Sequence, residues 1–141
     1  METQTVELKA GEQALIGKMM VKNASDSTVS LECAGQGAVL HQSEIISSDA
    51  TATFAMKVYY VAMNIYIEGD EGLAKWRDSF LTLMNLAIES NVPSMVEIMT
   101  EIGDCLVLGN FRGALNASLK LIAREVELET KTGSHVPVAA E

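Results

Sequence analysis

The sequence predicts an α+β protein: a small antiparallel sheet at the amino end, followed by a four-helix bundle whose last hairpin is tetratricopeptide-like. Three observations carry this. Val6/Leu8, Leu15 and Val29/Leu31/Cys33 alternate with polar residues, the period-2 mark of half-buried antiparallel strands. From about Ala50 the apolar residues recur instead at helical spacing. Between the two regimes, Ser47-Ser48-Asp49 supplies side-chain oxygens suited to the free amides of a first helical turn. The expected organisation is therefore a β-hairpin sheet over residues 1–48, a helical bundle over 49–128 and a flexible tail over 129–141.

Within the head, Ala10-Gly11, Gly17 and the run from Asn23 to Ser27 provide turn chemistry between strands. A further short strand is expected at Ala38-Val39-Leu40-His41, reached through Gly35-Gln36-Gly37, and Glu44-Ile45-Ile46 extends the sheet or packs onto it. The first helix should begin near Ala50 and stop at Gly69-Asp70-Glu71-Gly72. It carries three apolar stripes: Phe54/Val58/Val61/Ile65, Met56/Tyr60/Met63/Ile67 and Tyr59/Ala62/Tyr66. A helix apolar on every side must be covered on every side, by its own domain or by a partner.

Leu73, Trp76, Phe80, Leu83, Met84 and Ala87 mark a second helix from Gly72 to about Ser90. Pro93 fits the first turn of a third, which carries Met95, Ile98, Met99, Ile102, Cys105 and Leu106 and stops at Gly109. The fourth starts near Asn110 with Phe111, Ala114, Leu115, Leu119, Ile122 and Val126 as its apolar positions. Gly113, Ala114 and Ala117 are small enough for a neighbouring helix to approach closely. No second copy recurs at a fixed period, so this is one helical hairpin and not a repeat array.

The chain has 141 residues, 48% of them hydrophobic, and a formal net charge of −9. Residues 1–48 hold three lysines against six acids, and residues 49–128 six bases against eleven acids, so neither part attracts a phosphate backbone at long range. No basic n-region precedes an apolar core, and the longest apolar run, Val58–Ile67, is half of what a bilayer needs. The expected location is the cytoplasm, with no membrane role, and Cys33 and Cys105 as reduced core thiols.

The search for catalysis is negative. His41 and His135 lack Cys or carboxylate neighbours at ligand spacing, so no metal is expected. Asp104 precedes Cys105 and disfavours its thiolate. Gly11, Gly17, Gly35 and Gly37 fit neither phosphate-binding pattern. Glu97, Glu101 and Asp104 share one helix face, read as the solvated side. The expectation is a non-enzyme with no cofactor and no small-molecule substrate.

Two surfaces remain as candidates. Lys9, Lys18 and Lys22 are the only bases of the head and bracket its first turn and hairpin. Lys18 and Lys22 have equal parity, which in a regular strand places both on one face. They read either as an RNA contact or as solvent lysines that keep edge strands from pairing. Tyr59 and Tyr66, seven residues apart on the first helix, read either as core or as the contact to a second protomer or partner, since tyrosine tolerates a half-wet interface.

The order of these blocks resembles the FlbT family of bacterial flagellar regulators. The likeness rests on Leu8-Lys9-Ala10-Gly11-Glu12 with Leu15-Ile16-Gly17, on Val29-Ser30-Leu31-Glu32, on Ala50-Thr51-Ala52-Thr53 leading to Lys57-Val58-Tyr59-Tyr60, and on the hairpin around Gly109–Leu115. Family members typically carry Pro where this chain has Ala10. The resemblance implies a cytoplasmic post-transcriptional regulator of flagellin. Such a protein associates with the 5′ untranslated region of flagellin mRNA, lowering translation and promoting decay, although some members act positively. Its gene neighbourhood, beside flagellin and FlaF, implies an alternative: a flagellin- or FlaF-binding adaptor that affects the message indirectly.

Overall fold

The computed structural model describes residues 3–35 and 37–132. Residues up to Ile46 form one compact unit and those from Ser47 another. The first contains strands β1 (Thr3–Leu8), β2 (Gln13–Ile16), β3 (Met19–Lys22), β4 (Val29–Ala34) and β5 (Val39–His41). The second contains helices α1 (Phe54–Glu68), α2 (Asp70–Ser90), α3 (Pro93–Val107) and α4 (Phe111–Thr132). The α+β reading, strands first and four helices after, is correct.

In the head, β1 and β4 form an antiparallel pair with Val6 opposite Leu31 and Leu8 opposite Val29. A second antiparallel sheet has the order β3-β2-β5. Their facing sides share one core of Val6, Leu8, Ala14 and Val39, with Ile16, Val29, Leu31 and Cys33 packed against it. Leu15 belongs to the other face of β2, since alternation puts Ala14 and Ile16 inward together. Glu44 does not extend the sheet but closes a single 3₁₀ turn, Gln42–Glu44.

The first long helix starts later than the serine cluster suggests. Ser48–Ala50 make a 3₁₀ turn of their own, and Ser47 makes no side-chain cap bond. Thr53 is the N-cap of α1, its Oγ1 accepting from the Met56 amide at 3.2 Å. A threonine oxygen one residue before the apolar stripe outcompetes Ser47, Ser48 and Asp49, four to six residues before it, because only it reaches the third amide of that helix. Gly69 alone joins α1 to α2, so α2 begins at Asp70 rather than Gly72.

The bundle core runs through Phe54, Val58, Val61 and Ile65 of α1, Phe80, Leu83 and Ala87 of α2, Met95, Met99, Ile102 and Leu106 of α3, and Ala114, Ala117 and Leu121 of α4. Each large aliphatic or aromatic side chain buried this way contributes on the order of 1.5–3 kcal/mol. Cys105 packs against this core as a free thiol, as Cys33 does in the head. The α3–α4 turn is a Schellman motif: Gly109 donates to the Leu106 carbonyl at 3.2 Å and Asn110 to that of Cys105 at 2.8 Å.

On α4 Ala114 and Leu115 are buried as expected, and beyond them the buried face is rotated from the expected one. Leu119 and Val126 are about half exposed, while Ser118, Leu121 and Glu125 are buried. Gly113 serves its own helix: a Cβ there would run into the Asn110 side chain, whose Oδ1 caps the Gly113 amide at 3.0 Å. α4 also runs past residue 128 to Thr132, and the rest of the expected tail, 133–141 with His135, lies outside the described residues.

Close approach is real at Gly72. A Cβ at that position would stand 2.8 Å from Glu68 Cβ, 3.0 Å from Ile65 Cα and 3.1 Å from the Asn64 carbonyl oxygen. In an exposed helix interior Gly→Ala gains roughly 1 kcal/mol. Here Gly72→Ala is expected to lose about 1–3 kcal/mol, because α1 backbone cannot move aside cheaply. A urea melt checks the sign, and a gain in midpoint would show that α1 and α2 separate freely.

Candidate nucleic-acid interface

The candidate surface is built around one turn. Residues 9–12 close a β-turn in which the Glu12 amide donates to the Lys9 carbonyl at 3.0 Å. Gly11 has φ +81°, the left-handed value that a type II turn requires at its third position. Ala10 therefore occupies the second position, where proline fits equally well. The Gly11 amide then donates to the Asn23 carbonyl and the Asn23 amide to that of Glu12, both at 2.9 Å. Two residues facing one across the ladder, with a left-handed glycine first, make a G1 bulge. The turn accounts for Gly11 and Glu12, while Lys9 contributes only its backbone groups to it.

The glutamate locks the turn from its side chain. Glu12 Oε1 accepts from the Lys9 amide at 2.7 Å and contacts His41 Nε2 at 3.1 Å. The Lys9 amide bond, and after it His41, hold the Glu12 carboxyl below its ordinary value. His41 Nδ1 accepts from the Ser43 amide at 3.1 Å, which assigns the ring proton to Nε2 and makes that nitrogen the donor to Glu12. The carboxylate near His41 in sequence, Glu44, accepts from its backbone amide at 2.9 Å; the β2–β5 pairing brings Glu12 to the ring across 29 residues.

Beyond the turn, β2 and β3 form a hairpin in which Ile16 faces Met19. Its loop is only Gly17-Lys18, with Gly17 at φ +65° and Asn91 the one described non-glycine of positive φ, so the turn is type II′. Lys18 thus lies in the loop and not in a strand, and the equal-parity argument that placed it beside Lys22 does not apply. Lys22 stands at the other end of the hairpin, about 13 Å along the strand at ~3.3 Å per residue. The bulge fixes the Lys9 turn beside that end. The structure therefore brings Lys9 and Lys22 to one end and leaves Lys18 at the tip. All three are exposed, and none takes part in an ion pair among the described residues. β3 itself is an outer strand with Met19 69% and Met20 53% exposed.

The tyrosines separate. Tyr59 is 4% exposed. Tyr66 is half-buried, with the Arg112 guanidinium of α4 5.5 Å from its ring centroid. Tyr60 meets Trp76 edge-on at 5.8 Å. Tyr59 thus presents no open surface on this chain, because α1 is covered nearly all round.

Among the described residues, no three or more His, Cys, Asp or Glu side chains converge so as to hold a metal ion. No described helix is long and apolar enough to cross a membrane.

Comparison with known proteins adds a family. The family model "Flagellar protein FlbT" matches residues 5–128. Two curated proteins, each named "Probable flagellum biosynthesis repressor protein FlbT", come from Rhodopseudomonas palustris strains TIE-1 and ATCC BAA-98 / CGA009. Each is 28% identical over 123 residues, covering 87% of this chain and 94% of the relative. No solved structure matches the chain.

Proposed function

The chain belongs to the FlbT family of flagellar proteins, and we propose on that premise that it represses flagellum biosynthesis at the level of flagellin mRNA. On this reading it associates with the 5′ untranslated region of the message, lowers translation and promotes decay. The relatives' names support a regulatory role in flagellar synthesis. The observation that carries the RNA contact is the placement of Lys9, Lys18 and Lys22, exposed along one hairpin and its approach turn without ion-pair partners among the described residues.

A second reading has its own support. The head contains no Phe, Tyr or Trp to stack a base, the net charge is −9, and Met19 and Met20 are open. These favour an adaptor that binds flagellin or FlaF and acts on the message indirectly.

Changing Lys9, Lys18 and Lys22 together to Glu separates the two. Direct contact predicts at least a tenfold loss of affinity for a flagellin leader RNA at an unchanged thermal midpoint. It also predicts that wild-type binding falls with salt at a log-log slope of about −0.7 per neutralised phosphate. Unchanged affinity in the triple variant removes the hairpin from RNA recognition.

A further inference from the structure

The outer edge of β3 is short and ends in a lysine, yet no described strand pairs with it. Hydrogen bonding along β2 fixes which groups point out. The Gly17 amide donates to the Ala38 carbonyl at 2.7 Å and the Gln13 amide to Gln42 Oε1 at 2.8 Å, so both face the β5 side. Alternation then turns Ala14 and Ile16 toward β3, making Ala14–Val21 and Ile16–Met19 the bonded pairs. The backbone N–H and C=O groups of Met20 and Lys22 consequently point away from the sheet.

Proteins ordinarily blunt such an edge by keeping it short, or with lysine or another charge, proline or a bulge. Met19–Lys22 contains no proline, and the bulge lies beyond it on β2's approach. Instead two flexible methionine side chains stand open on opposite faces, 69% and 53% exposed. Lys18 and Lys22 flank them, in a chain that is otherwise strongly acidic.

We infer that the β3 edge is a docking strand that takes an extended segment of a partner protein as a fourth strand of the sheet. Main-chain bonds at Met20 and Lys22 supply affinity, the methionines grip one apolar side chain on each face of the segment, and the two lysines select acidic residues at its ends. Charge complementarity argues for this occupant: two cations with no ion pair among the described residues bracket the edge, while a second copy would bring cation to cation and carry net negative charge. The inference rests on the second reading above, that the head contacts a protein.

Two variants test it. Met20→Pro deletes an outward N–H that β2 does not use, and an edge strand tolerates proline there. Lys18→Glu with Lys22→Glu keeps the strand and reverses its ends. The full-length protein is panned against a random dodecapeptide phage library, and selected peptides are synthesised. The expected selection carries neighbouring apolar residues, one for each face, with acids at the ends. Its binding should slow amide exchange at Met20 and Lys22, weaken about tenfold or more in the double lysine variant and vanish in M20P. No enrichment, or equal binding by wild type and both variants, overturns the docking strand. A single-stranded RNA of twenty nucleotides that slows the same two amides would also overturn it, giving the edge to nucleic acid. Flagellin and FlaF are titrated in parallel: capture by wild type and M20P alike would leave the adaptor reading standing and sink the edge, whereas no capture by wild type removes the adaptor reading itself.

Discussion

Replacing Glu125 with alanine should destabilise the helical bundle by about 3 kcal/mol, one of the two largest single-residue effects expected in this protein. Glu125 lies on α4, is 6% exposed, and its Oε2 accepts from the Ala55 amide at 2.9 Å across 70 residues of chain. Ala55 is the second residue of α1, next to the one after the Thr53 cap. Thr53 thus satisfies one free amide of the first turn and Glu125 another. The alanine variant orphans a buried N–H, which costs roughly 1–3 kcal/mol. It also removes a negative charge from the positive end of the α1 dipole, worth about 0.3–1 kcal/mol and more where solvent is excluded.

Glu125→Gln tells the two contributions apart. Its side-chain oxygen can still accept from Ala55, so the loss should fall to about 1 kcal/mol, the charge component alone. Urea melts of the two variants beside wild type measure both. If alanine and glutamine cost the same, the hydrogen bond contributes nothing and the dipole account carries all of it. If neither costs more than a few tenths of a kcal/mol, the carboxylate is a tolerated passenger and α1 is held by packing.

Glu125 also shows where the sequence is legible. Expected core positions on α2 and α3 hold up because apolar size and helical period agree there: Phe80, Leu83, Ala87, Met95, Met99, Ile102 and Leu106 are buried, and Leu73, Trp76, Met84, Ile98 and Cys105 pack partly buried against them. On α4 they disagree. Leu119 and Val126 draw the eye, but the inward face is Ala114, Ala117, Ser118, Leu121 and Glu125. A carboxylate four residues after Leu121 and three before Leu128 was the available signal, since a solvated glutamate would break that stripe. Its reason lies in the orphaned amides of another helix, which no local window contains. The turn chemistry at Gly11 and Gly17 was visible as turns. The bulge, the outward register of β3 and the Glu12–His41 contact depend on which strands pair, and period-2 patterning does not encode that.

The other large effect should come from Asn23→Asp. Asn23 is 6% exposed and uses its whole hydrogen-bonding capacity. Nδ2 donates to the carbonyls of Leu8 at 2.9 Å and Ser27 at 2.8 Å. Oδ1 accepts from the Ser25 amide at 3.0 Å and its hydroxyl at 2.7 Å, while the Asn23 backbone completes the bulge with Gly11 and Glu12. One side chain therefore ties the end of β1, the base of the β2–β3 hairpin and the following loop.

An aspartate has almost the same shape, so packing is preserved and only the two donors are lost. Its second oxygen would face two carbonyl oxygens, acceptor against acceptor, with a buried charge between them. The expected cost to the head is about 3 kcal/mol at neutral pH. The sign of its pH dependence follows. Burial and the two carbonyls raise the variant's carboxyl above its unfolded value, and a protonated acid can donate to one of them. The deficit relative to wild type should therefore be smallest at acid pH and grow as pH rises through the unfolded carboxylate range and up to the raised folded value. Amide exchange at Gly11 and residue 23, followed against pH in both proteins, reads this directly. A deficit that is flat with pH would mean that the aspartate escapes to solvent, and that the head is held by its strands without the asparagine.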